Sequence, residues 1–219
     1  RAVSSLPASF EPYSDMLRES LLSLCRSGPD EVVRMQNGAN EIAKIYAKAF
    51  NKLLTDSGLN YKNIRAIGAH GQTIRHNPQI GASTQLINGA LLAELTKTDV
   101  ITDFRSRDLA AGGEGAPLVP AFHKWVLSGD VPRGILNIGG ISNLTILPER
   151  GSEDEVLGFD CGPGNVLMDA WIEKVNHVRY DRDAMWARSG KVIPQLLESL
   201  ETGKILFSSS AEEYRAGAL

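Results

Sequence analysis

Residues 100–123 read VITDFRSRDLAAGGEGAPLVPAFH, and the rest of the chain is organised around them. Val100, Ile101 and Thr102 form a short apolar run that predicts a strand ending at Asp103-Phe104. Arg105, Arg107 and a second carboxylate, Asp108, follow. The side chains then shrink, from Ala110 through Gly112, Gly113 and Gly115 to Pro117. Residues this small build no core; they let a backbone pass close to another element or a ligand. A carboxylate before a glycine-rich turn, at the end of a buried strand, is a common place for chemistry in α/β proteins. The same residues also admit a plain reading, with the aspartate as a helix N-cap and Arg-x-Arg as a solvated surface pair.

Outward from that stretch, helical and strand patterns alternate. Met16, Leu17, Leu21 and Leu24 have helical spacing over residues 13–25. Ser27-Gly28-Pro29-Asp30 ends that helix and caps a long one from Glu31 to Ser57, closed by Gly58, with Gly38 as a candidate interruption. Ile64 to Ala69 and Thr73 to His76 read as strands, the second stopping at Asn77-Pro78. Asn88 to Thr96 and Val119 to Leu127 read as helices. Gly134 to Ile138 is a buried strand meeting Gly139-Gly140, with Asn143 to Leu147 as its hairpin partner. Val156 to Asp160 is a further strand, leading through a glycine turn into a helix from Val166 to Val175. Ile193 to Leu200 is a last helix, and residues 1–12 read as a loop. Helices separating groups of strands, several of them ending in glycine, predict an α/β fold with a mixed sheet.

Composition narrows the classes. The chain has 219 residues, 42% of them hydrophobic, enough for one large domain or two small ones. No apolar run is long enough to cross a bilayer, and the first residues lack the apolar segment of a signal peptide. No initiator Met is present, so the chain is expected to begin inside a longer protein. The formal net charge of -3 comes with no basic stripe, which excludes nucleic acid as the expected partner. Cys25 and Cys161 read as reduced thiols.

Three further segments carry polar groups in suggestive places. In Asn137-Ile138-Gly139-Gly140-Ile141-Ser142-Asn143, a diglycine turn between two strands offers backbone N–H groups and the Ser142 hydroxyl to phosphate oxygens, or is an ordinary hairpin. In Gly158-Phe159-Asp160-Cys161-Gly162-Pro163-Gly164-Asn165, a glycine turn feeds a helix whose N-terminus favours anions, or is a helix capped by Asn165. Neither segment has the P-loop pattern or a good dinucleotide fingerprint. His70-Gly71-Gln72-Thr73 with His76-Asn77 gathers hydrogen-bonding groups suited to a sugar. The spacing of His70 and His76 fits neither a helix face nor a zinc knuckle, so no metal is expected on them. His123 and His177 read as structural or surface residues.

Two glycine turns at strand ends resemble the nucleotide cleft of the actin, hexokinase and Hsp70 superfamily. GAHGQTIRHNP, TDFRSRDLAAGGEGAPLVPAFH, LNIGGISNLT and GFDCGPGNVLMDAW together resemble the anhydro-N-acetylmuramic acid kinases, in family order from about Tyr13 to about Leu200. The resemblance implies a ribonuclease H-like, actin-like ATPase architecture with two lobes around a cleft, present here in part. Residues 1–130 would be the remainder of the first lobe, and 131–219 the start of the second. The implied activity is ATP-dependent hydrolytic opening of 1,6-anhydro-N-acetylmuramic acid with phosphorylation of O6, in the cytoplasm, during peptidoglycan recycling. Asp108 would be the catalytic base. His70, Gly71, Gln72, Thr73, His76, Asn77, Arg105 and Glu114 would face the sugar. Gly139, Gly140, Ile141, Ser142, Asn143, Asp160, Gly162, Gly164 and Asn165 would hold the nucleotide, ATP with Mg2+, and no protein metal site is implied. A homodimer is left open. A glycosidase using two of Asp103, Asp108 and Glu114, or a non-catalytic sugar- or nucleotide-binding module, are the alternatives. The chain departs from the family pattern in lacking a first glycine- and threonine-rich hairpin and a C-terminal glycine-rich segment. Glu114 stands where glutamine is expected, and the sequence after Leu200 no longer resembles the family.

Overall fold

The computed structural model describes residues 7–202. The tail from residue 203 and the first half of the loop read over residues 1–12 lie outside the described residues. Two compact units divide at Gly115 and Ala116. The division read from the sequence, after residue 130, assigns the helix at Val119–Leu127 to the first unit. That helix packs on a strand of the second.

In the first unit, α1 (Asp15–Ser23) starts where the Ser14 hydroxyl accepts from the Leu17 N–H. Next come α2 (Glu31–Ser57), β1 (Ile67–Gly68), β2 (Gln72–Asn77) and β3 (Ala82–Leu86). α3 (Gly89–Thr96), β4 (Val100–Ile101) and α4 (Phe104–Ala110) complete it. The expected bounds of α2 hold to the residue, with Gly58 as its left-handed C-cap. Gly38 does not interrupt it. Helix α2 continues through this position, where a Cβ would sit 3.4 Å from Leu21 and 3.5 Å from Leu86. The glycine lets α1 and β3 come close to the helix.

α2 divides the core between its two sides. Ile42 packs with Leu17, Leu21, Leu24, Ile74 and Leu86. Ala43 and Ala47 pack with Ala69 and Leu92, beside Ile67 and Val100. The second cluster seats the parallel pair β1–β4, in register Ile67↔Val100 and Gly68↔Ile101. Strand β1 is shorter than the Ile64–Ala69 run expected, because its one described partner, β4, is two residues long. β2 and β3 form an antiparallel hairpin from Gln72↔Leu86 to Asn77↔Ala82. The sequence reading missed β3, whose ASTQL lacks the bulky apolar alternation that marks a strand.

The second unit holds α5 (Val119–Leu127), β5 (Arg133–Ile138), β6 (Ile141–Leu147) and β7 (Leu157–Pro163). Beyond them lie α6 (Val166–Asn176), α7 (Met185–Ser189) and α8 (Pro194–Thr202). The strands make an antiparallel sheet in the order β5-β6-β7. One face meets α5: buried His123 and buried Thr145 lie 2.9 Å apart, Nδ1 to Oγ1. His123 is therefore structural, as expected, and His177 is an exposed left-handed cap. β7 runs through Gly162 and Pro163, which pair with Ser142 and Ile141, so the expected turn at 162–164 is partly strand. The protein is thus a mixed α/β structure with parallel and antiparallel pairing. Among the described residues no helix is long and apolar enough to cross a membrane.

Candidate active site

The parallel pairing of β1 and β4 places two chain exits side by side. Ala69 N–H donates to the Ile101 carbonyl at 2.8 Å, and Ala69 is wholly buried. His70 leaves one strand there, while Asp103 leaves the other with φ 57 and turns the chain into α4. Asp108 thus lies near the C-terminal end of a short helix and not at the strand end that the sequence suggested. The segment FRSRDLA has residues that tolerate a helical turn, and Ser106 ties to Asp103 at 2.6 Å.

After α4 the glycine run folds back around Asp108. Gly113 N–H donates to the Asp108 carbonyl at 2.9 Å, and Gly115 N–H donates to its Oδ2 at 2.8 Å. A Cβ at Gly113 would fall on the Asp108 carboxylate. The close approach read from AAGGEGAP is therefore the backbone's approach to its own carboxylate. Arg105 donates from Nη1 to the Gly115 carbonyl at 2.8 Å and from Nε to His70 Nε2 at 3.2 Å. Arg105, Asp108 and His70 are all half-buried, whereas Glu114 is exposed.

The other residues assigned to a sugar divide in two. Gly71 is buried, and Gln72 and Thr73 are half-buried at the start of β2, beside His70. His76 and Asn77 lie at the far end of that strand, roughly 16 Å away at about 3.3 Å per residue. There His76 Nδ1 is 3.0 Å from Ser83 Oγ. The structure groups His70, Arg105 and Asp108, and leaves His76 and Asn77 apart from them. Of the carboxylates the glycosidase alternative would use, Asp103 accepts from Ser106, Asp108 accepts from the Gly115 amide, and Glu114 is exposed.

The diglycine turn of the second unit is locked to α6. The Gly139 carbonyl accepts from Asn165 N–H at 2.8 Å, and the Gly140 carbonyl from Gly164 N–H at 2.8 Å and Val166 N–H at 3.4 Å. A Cβ at Gly164 would strike the Gly139 carbonyl and lie 2.8 Å from Ser142 Oγ, so this position requires glycine. The turn takes the N–H groups of Gly164 and Asn165, before α6, and that of Val166, its first residue. Asn165 stands at the N-cap without a side-chain cap bond. The two turn carbonyls thus accept from the start of α6, and Ser142 adds a hydroxyl beside them. One residue that the sequence assigned to the nucleotide has a distinctive environment. Asn143 Oδ1, opposite exposed Asp160 across β6–β7, is buried without a hydrogen-bond partner among the described residues.

The chain is thus a mixed α/β protein of two units, one with an anchored carboxylate in α4, which follows β4, the other with a diglycine turn tied to the start of α6. The family model described as anhydro-N-acetylmuramic acid kinase matches residues 1–212, and the chain belongs to that family. The match extends beyond the Tyr13–Leu200 span read from the motifs, into the tail that looked unrelated. Proteins named anhydro-N-acetylmuramic acid kinase resemble it closely. That of Nitrosomonas europaea is 53% identical over 200 residues, covering 90% of this chain and 54% of the relative. That of Pseudomonas fluorescens is 49% identical over 200 residues, covering 91% and 54%. That of Ralstonia nicotianae is 45% identical over 231 residues, covering 97% and 60%. The chain spans about half the length of the curated relatives it matches.

Proposed function

We propose that the protein carrying this chain is an ATP-dependent kinase of 1,6-anhydro-N-acetylmuramic acid, acting in the cytoplasm in peptidoglycan recycling. The observation that carries this reading is the family match over nearly the whole chain, joined to the anchored Asp108. In the reaction, Asp108 takes a proton from water as the water oxygen bonds to C1 of the sugar. The C1–O6 bond breaks, and O6 bonds to the γ-phosphorus as the bond to ADP breaks. A positioned base contributes about a hundredfold to ten-thousandfold in rate.

The chain's own groups suit these roles. We assign Gly71, Gln72 and Thr73, at the start of β2, to the sugar side; His70 and Arg105 stand between them and Asp108, and His76, Asn77 and Glu114 are more peripheral. Gly139 to Asn143 present donors to phosphate oxygens, and Gly162, Gly164 and Asn165 hold that turn in shape. The orphaned Asn143 oxygen and the Asp160 carboxylate, cross-strand partners, are the oxygen donors a hard divalent cation takes. Mg2+ there would neutralise charge on the phosphates. Among the described residues no group of three or more His, Cys, Asp or Glu side chains could hold a metal alone, and Mg2+ is ordinarily bound with substrate phosphates.

The test is the full-length protein with ATP and the anhydro sugar in isotopically labelled water. The expected product is N-acetylmuramic acid 6-phosphate with the label on C1. Sugar opening without ATP would establish a glycosidase instead, and binding without turnover a non-catalytic module.

A further inference from the structure

In the first unit, hydrogen bonds join His70 to Arg105, Arg105 to the Gly115 backbone and the Gly115 backbone to Asp108. His70 Nδ1 lies 2.8 Å from the Gly71 carbonyl oxygen. A carbonyl only accepts, so Nδ1 carries a proton. His70 Nε2 lies 3.2 Å from Arg105 Nε, and a guanidinium only donates, so Nε2 carries none. Two independent partners thus fix one neutral tautomer. Arg105 Nη1 donates to the Gly115 carbonyl at 2.8 Å, and the N–H of the same residue donates to Asp108 Oδ2 at 2.8 Å. Gly115 is buried, so both bonds act where water competes weakly.

We propose that His70 and Arg105 are positioning residues, acting through Gly115 to fix which oxygen of Asp108 receives the proton. The inference rests on the reading of Asp108 as the base. Both ring nitrogens of His70 are engaged within the protein, so the ring orients Arg105 and presents no nitrogen to a sugar hydroxyl. A guanidinium held at one nitrogen by His70 keeps another on the Gly115 carbonyl. The Gly115 N–H and carbonyl lie in successive peptide units, so the coupling is positional: Arg105 pins the Gly115 backbone, and that holds its N–H on Asp108 Oδ2. Oδ2 is committed to that donor, which leaves Oδ1 to take the proton from water. The sequence separation is bridged by the parallel pairing of β1 and β4, which brings the His70 and Arg105 segments together.

The tautomer is read directly from the ring nitrogen shifts of His70 in nitrogen-15 NMR of the protein. A protonated Nδ1 and a bare Nε2 are expected; a proton on Nε2 overturns the inference. In the full-length protein, Arg105→Met and His70→Leu should lower kcat by roughly tenfold to a hundredfold, as misplaced catalytic groups do. KM for the anhydro sugar should stay within about twofold. His70→Gln, which keeps an acceptor within reach of Arg105, should recover part of the lost kcat. A rise in KM at unchanged kcat would make both residues substrate contacts and overturn the relay. Asp108→Asn, run alongside, separates the two readings. Full turnover in that variant removes the base, whereas loss there with unaffected Arg105→Met removes the relay alone.

Discussion

At the scale of single residues, Asp108 and Gly113 make a paired test. Asp108→Asn preserves the shape of the side chain and the acceptor for the Gly115 amide, and cannot take a proton. Turnover of the full-length protein should fall about a hundredfold to ten-thousandfold, with the melting temperature nearly unchanged. Gly113→Ala should give a loss of the same order by a different route. Gly113 is exposed and its φ is not in the left-handed region, so alanine meets no backbone strain, yet its Cβ falls on the carboxylate. Asp108 must then turn away. A Gly113→Ala enzyme with normal kcat would mean that the carboxylate can swing without consequence.

At the scale of elements, the turn at 139–142 and the start of α6 separate binding from folding. A Cβ at Gly140 has ordinary space, 3.8 Å from Val166. Gly140→Val should therefore fold and raise KM for ATP, since the added branches crowd the donor edge. Gly164→Ala drives a Cβ into the Gly139 carbonyl and should cost about 1–3 kcal/mol in thermal or denaturant unfolding. The residue before the Ser14 cap of α1, Tyr13, offers a pH test. Burial, with Tyr46 beside it, pushes the Tyr13 phenol up to about 12. A phenol with a raised folded pKa stabilises the fold below its unfolded value and loses that contribution as pH climbs through the folded one. Stability should hold through neutral pH and decline from about pH 10 toward about 12, and Tyr13→Phe should weaken that decline. These elements also show what the sequence could reveal. α2 is legible because a helical apolar period runs up to Gly58; Asp30 stands at the N-cap position, but its side chain makes no cap bond there. β3 and α4 are not legible: one lacks apolar alternation, and the other is a short helix set by a left-handed Asp103. The glycine run announced a close approach, but the approaching group, Asp108 itself, is known only once α4 turns back.

At the scale of the whole molecule, the uneven covering of the second sheet matters. Register places Leu136, Leu144 and Phe159 on one face, with Ile138, Ile146 and Leu157 beside them, opposite the face that meets α5. Leu136 is 57% exposed, Ile138 65% and Phe159 46%. Contiguous apolar surface of this kind drives association. The 219-residue chain expressed alone should bind a hydrophobic dye and self-associate, and Leu136→Thr with Phe159→Thr should reduce both without unfolding it. A monodisperse, dye-silent chain would show that this face is not sticky. Neither strand pairing nor helix periodicity in the sequence reveals that surface; only the register of three strands does.

The tie between the diglycine turn and α6 has a consequence for selectivity. Both turn carbonyls, at Gly139 and Gly140, are spent on the amides of residues 164–166. On the proposed phosphate role, the turn would answer to negative charge through its donors, and these two engaged carbonyls would add little discrimination of a base or a ribose. Preference for adenine over guanine would then be written elsewhere in the protein. Inorganic tripolyphosphate should compete with ATP in kinetic assays of the full-length enzyme. Gly140→Val should weaken the inhibitor and ATP in the same proportion.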